Sequence, residues 1–531
     1  MDFSEKTQNG IRINYTVFLL PFSILMACLV FSLVNDKAFG KAMTSFFYWI
    51  AMNFGWSIVL AVFAQVVIFC FIAFSSIGGI RLGGPGAKPN VSTWNWFAMS
   101  LCAGIAIGIL FWGTVEPIQY FSSPPESMGL KPFSEDAAIF SMAQCFLHWS
   151  FSTYGIYCIF GLPVALAHYN YRQRFAISSS LYFLIGDRCQ GKIGDIVDGI
   201  CLFALAGGMA ASLGMGIMQT SSGLDFVFGI APSKVIWTLV AVFLISSYCI
   251  SSYTGINRGI RILSDNNAKL FIGFMIFVFF AGPTRFLLDL GVQSLGDFIN
   301  NLPAKSMFLS PINGDTFPRW WDLFYWANWY AFAPIVGLFL VRLSYGRTVR
   351  QFLAVNLLLP ACFGIIWFIV FGGTAIDFQM NGVNLWDAMQ NKGVESAVFT
   401  FIQQLPLSKI LLPIFLVIIL VSFITLADSM TTTVSSLSVI TPPDYQGEPP
   451  AAMKIAWGVI MGGVGLIMIN FAGIDGIKMV SVVAGLPTFL LATVVIVSLL
   501  KGCYWPEMKW FGNRIPFGSA VTPDYINAPE K

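Results

Sequence analysis

Charged residues are scarce in this sequence. Asp, Glu, Lys and Arg make up 10% of its 531 residues, whereas a typical soluble domain carries about 25%. Hydrophobic residues make up 56%, which is more apolar surface than a globular core needs. A large soluble domain is therefore excluded, and the surplus apolar surface is expected to contact lipid.

Histidine is nearly absent: His148 and His168 are the only two. A metalloenzyme site needs several closely spaced ligands, and the chain has no G-x-S-x-G, P-loop or paired-histidine motif. We therefore predict no enzyme activity and no cofactor, with Na⁺ as a candidate ion. His148 is interpreted as a hydrogen-bonded residue within a helix bundle.

Cysteine pairs and basic clusters are missing as well. The ten cysteines are scattered without a C-x-x-C motif, which is typical of small buried residues. The formal net charge is only +3, and no basic face is present. A nucleic-acid partner is therefore not expected, and membrane lipid is.

Long apolar runs are abundant. A membrane-spanning helix needs roughly 20 apolar residues, and lipid tolerates only helices and closed barrels. The sequence predicts an all-α polytopic membrane protein with about twelve transmembrane helices. These predicted spans lie near residues 13–34, 53–77, 94–122, 137–170, 194–224, 234–253, 266–290, 320–344, 351–373, 409–440, 453–471 and 477–500.

Basic residues favour one side of the membrane. An even number of spans puts both termini on the same side, and on that side fall the loops that contain Arg172, Arg174 and Arg188 and the arginines of residues 342–350. Lys and Arg concentrate in cytoplasmic loops. We therefore predict that both termini are cytoplasmic, in the inner membrane of a bacterium.

Spans 3–7 and 8–12 form two sets of five. An odd number of spans per half reverses the second half in the membrane, which is the inverted repeat of one large class of secondary transporters. The predicted fold is a LeuT-like inverted five-helix repeat within one domain. Its parts are two additional helices (1–93), a first repeat (94–291), a second repeat (320–500) and a short cytoplasmic tail (501–531).

Two predicted spans carry helix-interrupting residues. Span 3 contains Gly104, Gly108 and Gly113, and span 8, its counterpart, contains Asn328 and Pro334. Interrupted helices at matching positions of two repeats indicate a binding site. For the glycines, close helix packing through small residues is the alternative.

Aromatic residues concentrate in spans 4 and 8. Trp149, Tyr154 and Tyr157 fall within roughly 140° of one another on a helix, and span 8 adds Trp329 and Phe332. Such rings could form a cage for a quaternary ammonium group, which has no hydrogen-bond donor. An aromatic belt at the membrane surface is the alternative, but the span-4 rings lie in the middle of their span.

Span 10 carries a polar stripe. The hydroxyls that recur at helical spacing are Thr425, Ser429, Thr432 or Thr433, and Ser436. Asp428 is ionisable at membrane depth, where such residues are functional candidates. Hydroxyl and carbonyl oxygens would suit Na⁺. Interhelical hydrogen bonds are the alternative.

Five segments carry a family resemblance: FWGTVEP (111–117), HWSFSTYGIY (148–157), FYWANWYAFAP (324–334), RLSYGRTVRQF (342–352) and TLADS (425–429). Together they resemble the betaine/choline/carnitine transporter family, and the resemblance extends over nearly all of the predicted spans. It implies a secondary transporter with alternating access, usually a homotrimer, and a quaternary ammonium or related zwitterion as substrate.

The resemblance places the family's aromatic box on five residues of this chain. Trp149, Tyr157 and Trp329 match the usual residue types. Tyr154 stands where members commonly have Trp, and Phe332 varies a Trp or Tyr position.

The family's W-A-W-W motif reads W-A-N-W here, so that Asn328 follows Trp326 and Ala327. An amide both donates and accepts hydrogen bonds, which suits a carboxylate or hydroxyl group. The anionic or polar end of the substrate is therefore expected at Asn328 or at the backbone of span 3. The further candidates for this contact are Trp326, Ala103, Gly104, Ile105 and Ala106.

Ion coupling is open in the sequence. The resemblance implies, for sodium-coupled members, paired hydroxyls on span 10 and two threonines on span 5, but the matching positions hold Thr425 with Leu426, and Leu205 with Met209. These losses favour sodium-independent exchange. The family's exchangers have an arginine on span 7, where this chain has Asn267. The remaining candidates for ion binding or coupling are Ser422, Cys102 and Asp428.

The sequence thus predicts a transporter of betaine-type compounds such as glycine betaine, carnitine, γ-butyrobetaine or choline, by substrate exchange. A sodium-coupled symporter is the first alternative. A membrane receptor or a channel is the second, although a channel would need a continuous polar pore.

Overall fold

The computed structural model describes residues 11–105, 108–254, 257–440 and 449–504, and it describes their side chains except in 102–105, 251–254 and 257–268. In these ranges the helices are joined by turns and loops, and the only strands are two short antiparallel ones. Strand β1 (Arg12–Ile13) pairs with β2 (Val439–Ile440).

The first ten helices run as far as residue 281. They are α1 (Tyr15–Val34), α2 (Asp36–Phe74), α3 (Thr93–Ile105), α4 (Gly108–Ser122), α5 (Glu135–Trp149), α6 (Phe151–Tyr171), α7 (Tyr182–Ile185), α8 (Lys192–Phe228), α9 (Lys234–Thr254) and α10 (Asn257–Ala281).

Nine more helices follow. They are α11 (Thr284–Ser306), α12 (Phe317–Trp320), α13 (Asp322–Arg342), α14 (Val349–Leu353), α15 (Leu359–Met380), α16 (Leu385–Lys392), α17 (Ser396–Gln403), α18 (Ser408–Leu437) and α19 (Ala451–Tyr504).

Helices cover every predicted span, but the count by length and composition is lower than twelve. Within the described ranges, 8 helices are long and apolar enough to cross a membrane, or up to 9 if the pair Lys269–Ala281 and Thr284–Ser306, bent by 106°, forms one span. Helix α19 is 54 residues long and has non-helical backbone at Ala472 and Gly473. The division into twelve spans and the inverted repeat stay predictions.

The predicted interruption of span 8 is wrong. Helix α13 continues from Asp322 to Arg342 through Asn328 and Pro334. A proline is tolerated in such a helix because neighbouring helices and local adjustments satisfy the backbone group it frees. In span 3, α3 ends at Ile105 and α4 begins at Gly108, and the two residues between them lie outside the described ranges.

A break that the sequence did not predict divides span 4. Helix α5 ends at Trp149, Ser150 has non-helical torsions (φ −129, ψ −126), and α6 starts at Phe151. The Thr153 hydroxyl donates a hydrogen bond to the His148 carbonyl, which satisfies one of the acceptors that a helix end exposes. Trp149 is therefore the last residue of a half-helix.

Helix α13 is held by close backbone approaches on two sides. A Cβ added to Gly485 of α19 would lie 2.1 Å from the Ala327 carbonyl oxygen, and one added to Gly337 would lie 2.9 Å from the Gly161 nitrogen of α6. Glycine permits these approaches because it has no side chain. The helix that carries the aromatic segment is therefore fixed between α6 and α19.

We predict that Gly485→Ala lowers the thermal stability of the purified protein, because overpacking of a tight contact costs about 1–3 kcal/mol. The matched control is Gly296→Ala on α11, where an added Cβ meets nothing within 4 Å and alanine favours the helix. Thermal unfolding in detergent measures both. Equal midpoints for the two variants would contradict the close approach of α19 to α13.

Candidate functional site

Three of the predicted box residues meet as a compact group of rings. The Trp149 and Trp329 ring centroids lie 5.1 Å apart at 89°, and those of Tyr157 and Trp329 lie 5.6 Å apart at 82°. Both pairs are edge-to-face contacts, the arrangement that aromatic quadrupoles favour. All three residues are buried, and Trp329 touches both of the others. We call Trp149, Tyr157 and Trp329 the ring cluster.

Tyr154 extends the ring cluster, with its ring 6.3 Å from that of Tyr157. Two rings that the sequence analysis did not include also touch Trp149: Tyr325 of α13 at 5.8 Å and Phe368 of α15 at 5.6 Å. The group is therefore built from α5, α6, α13 and α15.

Two glycines allow neighbouring helices to pack closely against Trp149. A Cβ added to Gly108, the first residue of α4, would lie 3.4 Å from the Trp149 ring, and one added to Gly364 of α15 would collide with the Trp149 carbonyl. Small residues thus let α4 and α15 approach the end of α5. The start of α4, which follows the glycine-rich part of span 3, lies directly beside the ring cluster.

The other predicted residues of α13 face different neighbours. The Phe332 ring packs against Gly208 of α8, and Trp326 packs edge-to-face on His148 at 5.3 Å. The Asn328 Oδ1 accepts a hydrogen bond from the Ser481 hydroxyl of α19 at 3.3 Å. Asn328 thus lies on the α19 side of α13, and its contact with substrate stays a prediction.

A buried carboxylate fixes the ring cluster. Glu116 Oε2 accepts hydrogen bonds from Trp149 Nε1 at 2.7 Å and from the Tyr325 hydroxyl at 2.6 Å. Glu116 Oε1 lies 2.6 Å from His148 Nδ1. Glu116 is fully buried, where a polar group is costly unless it is hydrogen-bonded. One side chain of α4 therefore orients residues of α5 and α13.

His148 is held by acidic groups on both sides, which confirms its interpretation as a hydrogen-bonded bundle residue. Its Nε2 lies 2.8 Å from Asp322 Oδ1 at the start of α13, opposite the Glu116 contact. The Gln144 amide donates to the same Asp322 oxygen at 2.8 Å. We call Glu116, His148 and Asp322 the acidic–histidine triad.

A second set of rings lies next to the triad and holds a cation of the protein itself. The Lys478 ammonium of α19 lies 3.5 Å from the Trp321 ring centroid and 3.8 Å from Asp475 Oδ1. The Trp321 ring is 5.1 Å from Tyr120 and 5.8 Å from Trp112. An aromatic face therefore already binds a cation within this region.

A loop carboxylate ties the segment between α4 and α5 to the start of α12. Asp315 accepts hydrogen bonds from the Ser127 backbone nitrogen at 3.0 Å, from the Ser127 hydroxyl at 2.9 Å and from the Phe317 nitrogen at 2.9 Å. Partial burial raises the pKa of Asp315, but these three hydrogen bonds outweigh it and leave the pKa below its usual value. The bonds stabilise the ionised form.

Only some of the residues predicted to bind substrate or ions in spans 3, 7 and 10 lie among the described side chains. The side chains of Cys102, Ala103, Gly104, Ile105 and Asn267, and all of Ala106, lie outside the described residues. On α18, the Thr425 hydroxyl donates to the Val421 carbonyl at 2.7 Å, and other hydroxyls of the polar stripe likewise bond carbonyls of their own helix. Ser422 and Asp428 are buried. The Na⁺ role of this stripe stays a prediction.

Sequence reasoning missed the role of Glu116 and Asp322. Glu116 is indicated there only as part of the motif FWGTVEP (111–117), and Asp322 is not among the predicted site residues. The available signal was an ionisable residue within or beside an apolar run, which indicates function or a buried partner. The same signal selected Asp428.

We predict that Tyr325→Phe lowers the unfolding midpoint of the purified protein, because it removes a donor to a buried charge, worth about 1.5–3 kcal/mol. The matched control is Tyr154→Phe. The buried Tyr154 hydroxyl has no hydrogen-bond partner among the described residues, so its removal should change stability little. A larger loss for Tyr154→Phe than for Tyr325→Phe would contradict the assignment.

Comparison with known proteins gives a consistent result. The model of the BCCT, betaine/carnitine/choline family transporter, matches residues 16–506. The chain is 33% identical over 494 residues to the ectoine/hydroxyectoine transporter of Virgibacillus pantothenticus (93% of this chain, 97% of that protein). It is 31% identical over 492 residues to the glycine betaine transporter OpuD of Bacillus subtilis (92% and 94%).

A third relative is the betaine/ectoine transporter LcoP of Corynebacterium glutamicum, 30% identical over 509 residues (94% of this chain, 79% of that protein). Among solved structures, a Na⁺-coupled sialic acid symporter aligns at 14% identity and a TM-score of 0.34, over 85% of this chain and 84% of that chain. This last similarity is too low to support an inference. The family match and the three relatives confirm the resemblance: the chain belongs to the betaine/carnitine/choline transporter family, whose members are membrane transporters and not enzymes.

Proposed function

We propose that this protein is a secondary transporter of a small betaine-type zwitterion and that the ring cluster binds its cationic group. The observation that carries the proposal is the meeting of Trp149, Tyr157 and Trp329, three buried rings from three helices, around Trp329. A quaternary ammonium group offers no hydrogen-bond donor, so aromatic faces are its natural partners. Tyr154 would complete the cage.

The anionic end of the substrate would bind near the start of α4. Gly108 lies against the Trp149 ring, so the start of α4 is within one substrate length of the ring cluster. Backbone N–H groups at a helix start attract carboxylates. Glycine betaine is our first candidate, and ectoine the second, because relatives are named for both.

The transport cycle would be alternating access by substrate exchange without Na⁺. The side chains of Leu205 and Met209 of α8 are buried and carry no oxygen, and Leu426 follows Thr425. Three positions in the two candidate sodium sites therefore lack the side-chain oxygen ligands that suit Na⁺. Sodium-coupled symport is the competing possibility. A homotrimer with cytoplasmic termini in the bacterial inner membrane completes the proposal.

A receptor or a channel is the alternative of another class. The ring cluster argues against a channel. Its rings contact one another edge-to-face, whereas a channel needs a continuous polar path. A receptor would bind substrate without moving it. Counterflow of labelled substrate separates both alternatives from a transporter.

We predict that Trp329→Ala weakens the binding of glycine betaine about thirtyfold, since a desolvated cation–π contact is worth about 2 kcal/mol. The matched control is Trp56→Ala on α2, an exposed tryptophan that should leave binding unchanged. Titration calorimetry and uptake into proteoliposomes measure the effect. Undiminished uptake by the Trp329 variant would refute the cage.

We also predict that counterflow does not depend on Na⁺. Proteoliposomes loaded with unlabelled glycine betaine should accumulate external labelled glycine betaine at the same rate when Na⁺ is replaced by K⁺, with and without a membrane potential. Ectoine provides a parallel substrate. A strict requirement for Na⁺ would establish the symporter instead.

A further inference from the structure

The acidic–histidine triad places a carboxylate oxygen on each nitrogen of one imidazole. His148 Nδ1 lies 2.6 Å from Glu116 Oε1, and His148 Nε2 lies 2.8 Å from Asp322 Oδ1. The three side chains come from α5, α4 and α13, and all are at least 98% buried. Neither hydrogen bond of His148 involves a residue of the ring cluster. The proposed binding of a cation by the rings therefore does not explain why the triad is present.

Counting protons shows what the triad must hold. A neutral imidazole has one N–H and one acceptor nitrogen, and an ionised carboxylate only accepts. Two hydrogen bonds between His148 and two carboxyl groups therefore need two protons. These belong either to an imidazolium between two carboxylates or to a neutral imidazole with one carboxylic acid. In both cases the triad binds one proton more than a neutral histidine with two carboxylates.

Glu116 connects that proton to the ring cluster. Its Oε1 contacts His148, while its Oε2 accepts from Trp149 Nε1 and from the Tyr325 hydroxyl. Loss of the extra proton would leave two acceptors facing each other at one of the short contacts, which is costly in a buried site. Only the longer contacts of His148 with Tyr120 and Gln144, 3.3 Å each, could compensate. The carboxylate of Glu116 or Asp322 would then move, and Trp149 depends on Glu116 for its orientation.

Each helix that packs near the triad contributes further side chains to its surroundings. Tyr120 of α4 lies 3.3 Å from His148 Nδ1, and Lys478 of α19 lies beyond it on Trp321. Helix α15 presents Gly364 and Phe368. The remaining titratable groups near these helices are Cys145 beside Glu116, Tyr154 and Tyr157 of α6, and the Lys305–Asp297 pair of α11, whose ammonium lies on Phe140.

We propose that the acidic–histidine triad is a proton-binding site of the transporter and that substrate and proton oppose each other there. This inference rests on the proposed function of the ring cluster. In the protonated triad, Glu116 holds Trp149 in edge-to-face contact with Trp329. A cationic group that enters between these rings must separate them, and its positive charge is favoured when the triad has lost a proton.

The direction of the pH effect follows from linkage. If substrate binding releases a proton, then raising the pH strengthens substrate binding, by up to about tenfold per pH unit for one proton. The effect of protons on substrate and of substrate on protons must be equal.

Calorimetric titration of the purified full-length protein with glycine betaine tests the proposal. Titrations between pH 6 and 9, in buffers with different ionisation enthalpies, give both the affinity and the number of protons released. We expect the wild-type protein to bind more tightly at higher pH and to release close to one proton. His148→Gln and Glu116→Gln should abolish the release, and Glu116→Gln keeps the size of the side chain.

The matched control is His168→Gln. His168 is the second histidine of the chain, and its Nδ1 contacts the Gln173 carbonyl at the end of α6, away from the triad. This variant should release protons as the wild type does.

The outcomes are distinct. Binding whose affinity does not change with pH and that releases no proton overturns the proton site and leaves the proposed function intact. Proton uptake in place of release also overturns it, and so does release that survives in both triad variants. If neither glycine betaine nor ectoine binds, both the inference and the proposed function fail. The wild-type titration is decisive even if a triad variant does not fold.

Discussion

The burial of one carboxylate organises this protein. Glu116 is fully buried, accepts hydrogen bonds from the indole of Trp149 and the phenol of Tyr325, and is hydrogen-bonded to the ring of His148. A carboxyl group without hydrogen-bond partners in an apolar interior is unstable, so these partners must arrive together. Helices α4, α5 and α13 are thereby held in one arrangement, and the rings proposed to bind substrate inherit their positions from it.

The molecule combines two ways of handling positive charge. The triad pairs an imidazole with carboxylates, whereas the rings at Trp321 and Trp329 offer only quadrupoles. The first way depends on protonation, and the second does not. Glu116 and Trp149 join the two through one hydrogen bond, and this bond would be the physical basis for coupling between the proposed proton site and the proposed cation site.

Sequence patterns predicted the part of the site that depends on composition and local spacing. The apolar runs identified the helices, and the positions of Trp149, Tyr157 and Trp329 indicated rings that meet. The triad could not be predicted, because Glu116 and Asp322 lie 32 and 174 residues from His148. The break at Ser150 could not be predicted either, because no proline or glycine lies next to it in the sequence. For Asn328, only the tertiary structure supplies its partner, Ser481, 153 residues away.

The break at Ser150 also sets how deep in the membrane the ring cluster lies. Helix α5 has 15 residues, which corresponds to about 22 Å at 1.5 Å per residue, less than the roughly 30 Å thickness of the hydrocarbon layer. Its last residue, Trp149, therefore ends inside that layer and not at its far surface. A zwitterion bound at Trp149 would therefore lie at hydrocarbon depth, where the rings and the backbone would take over contacts that water makes in solution.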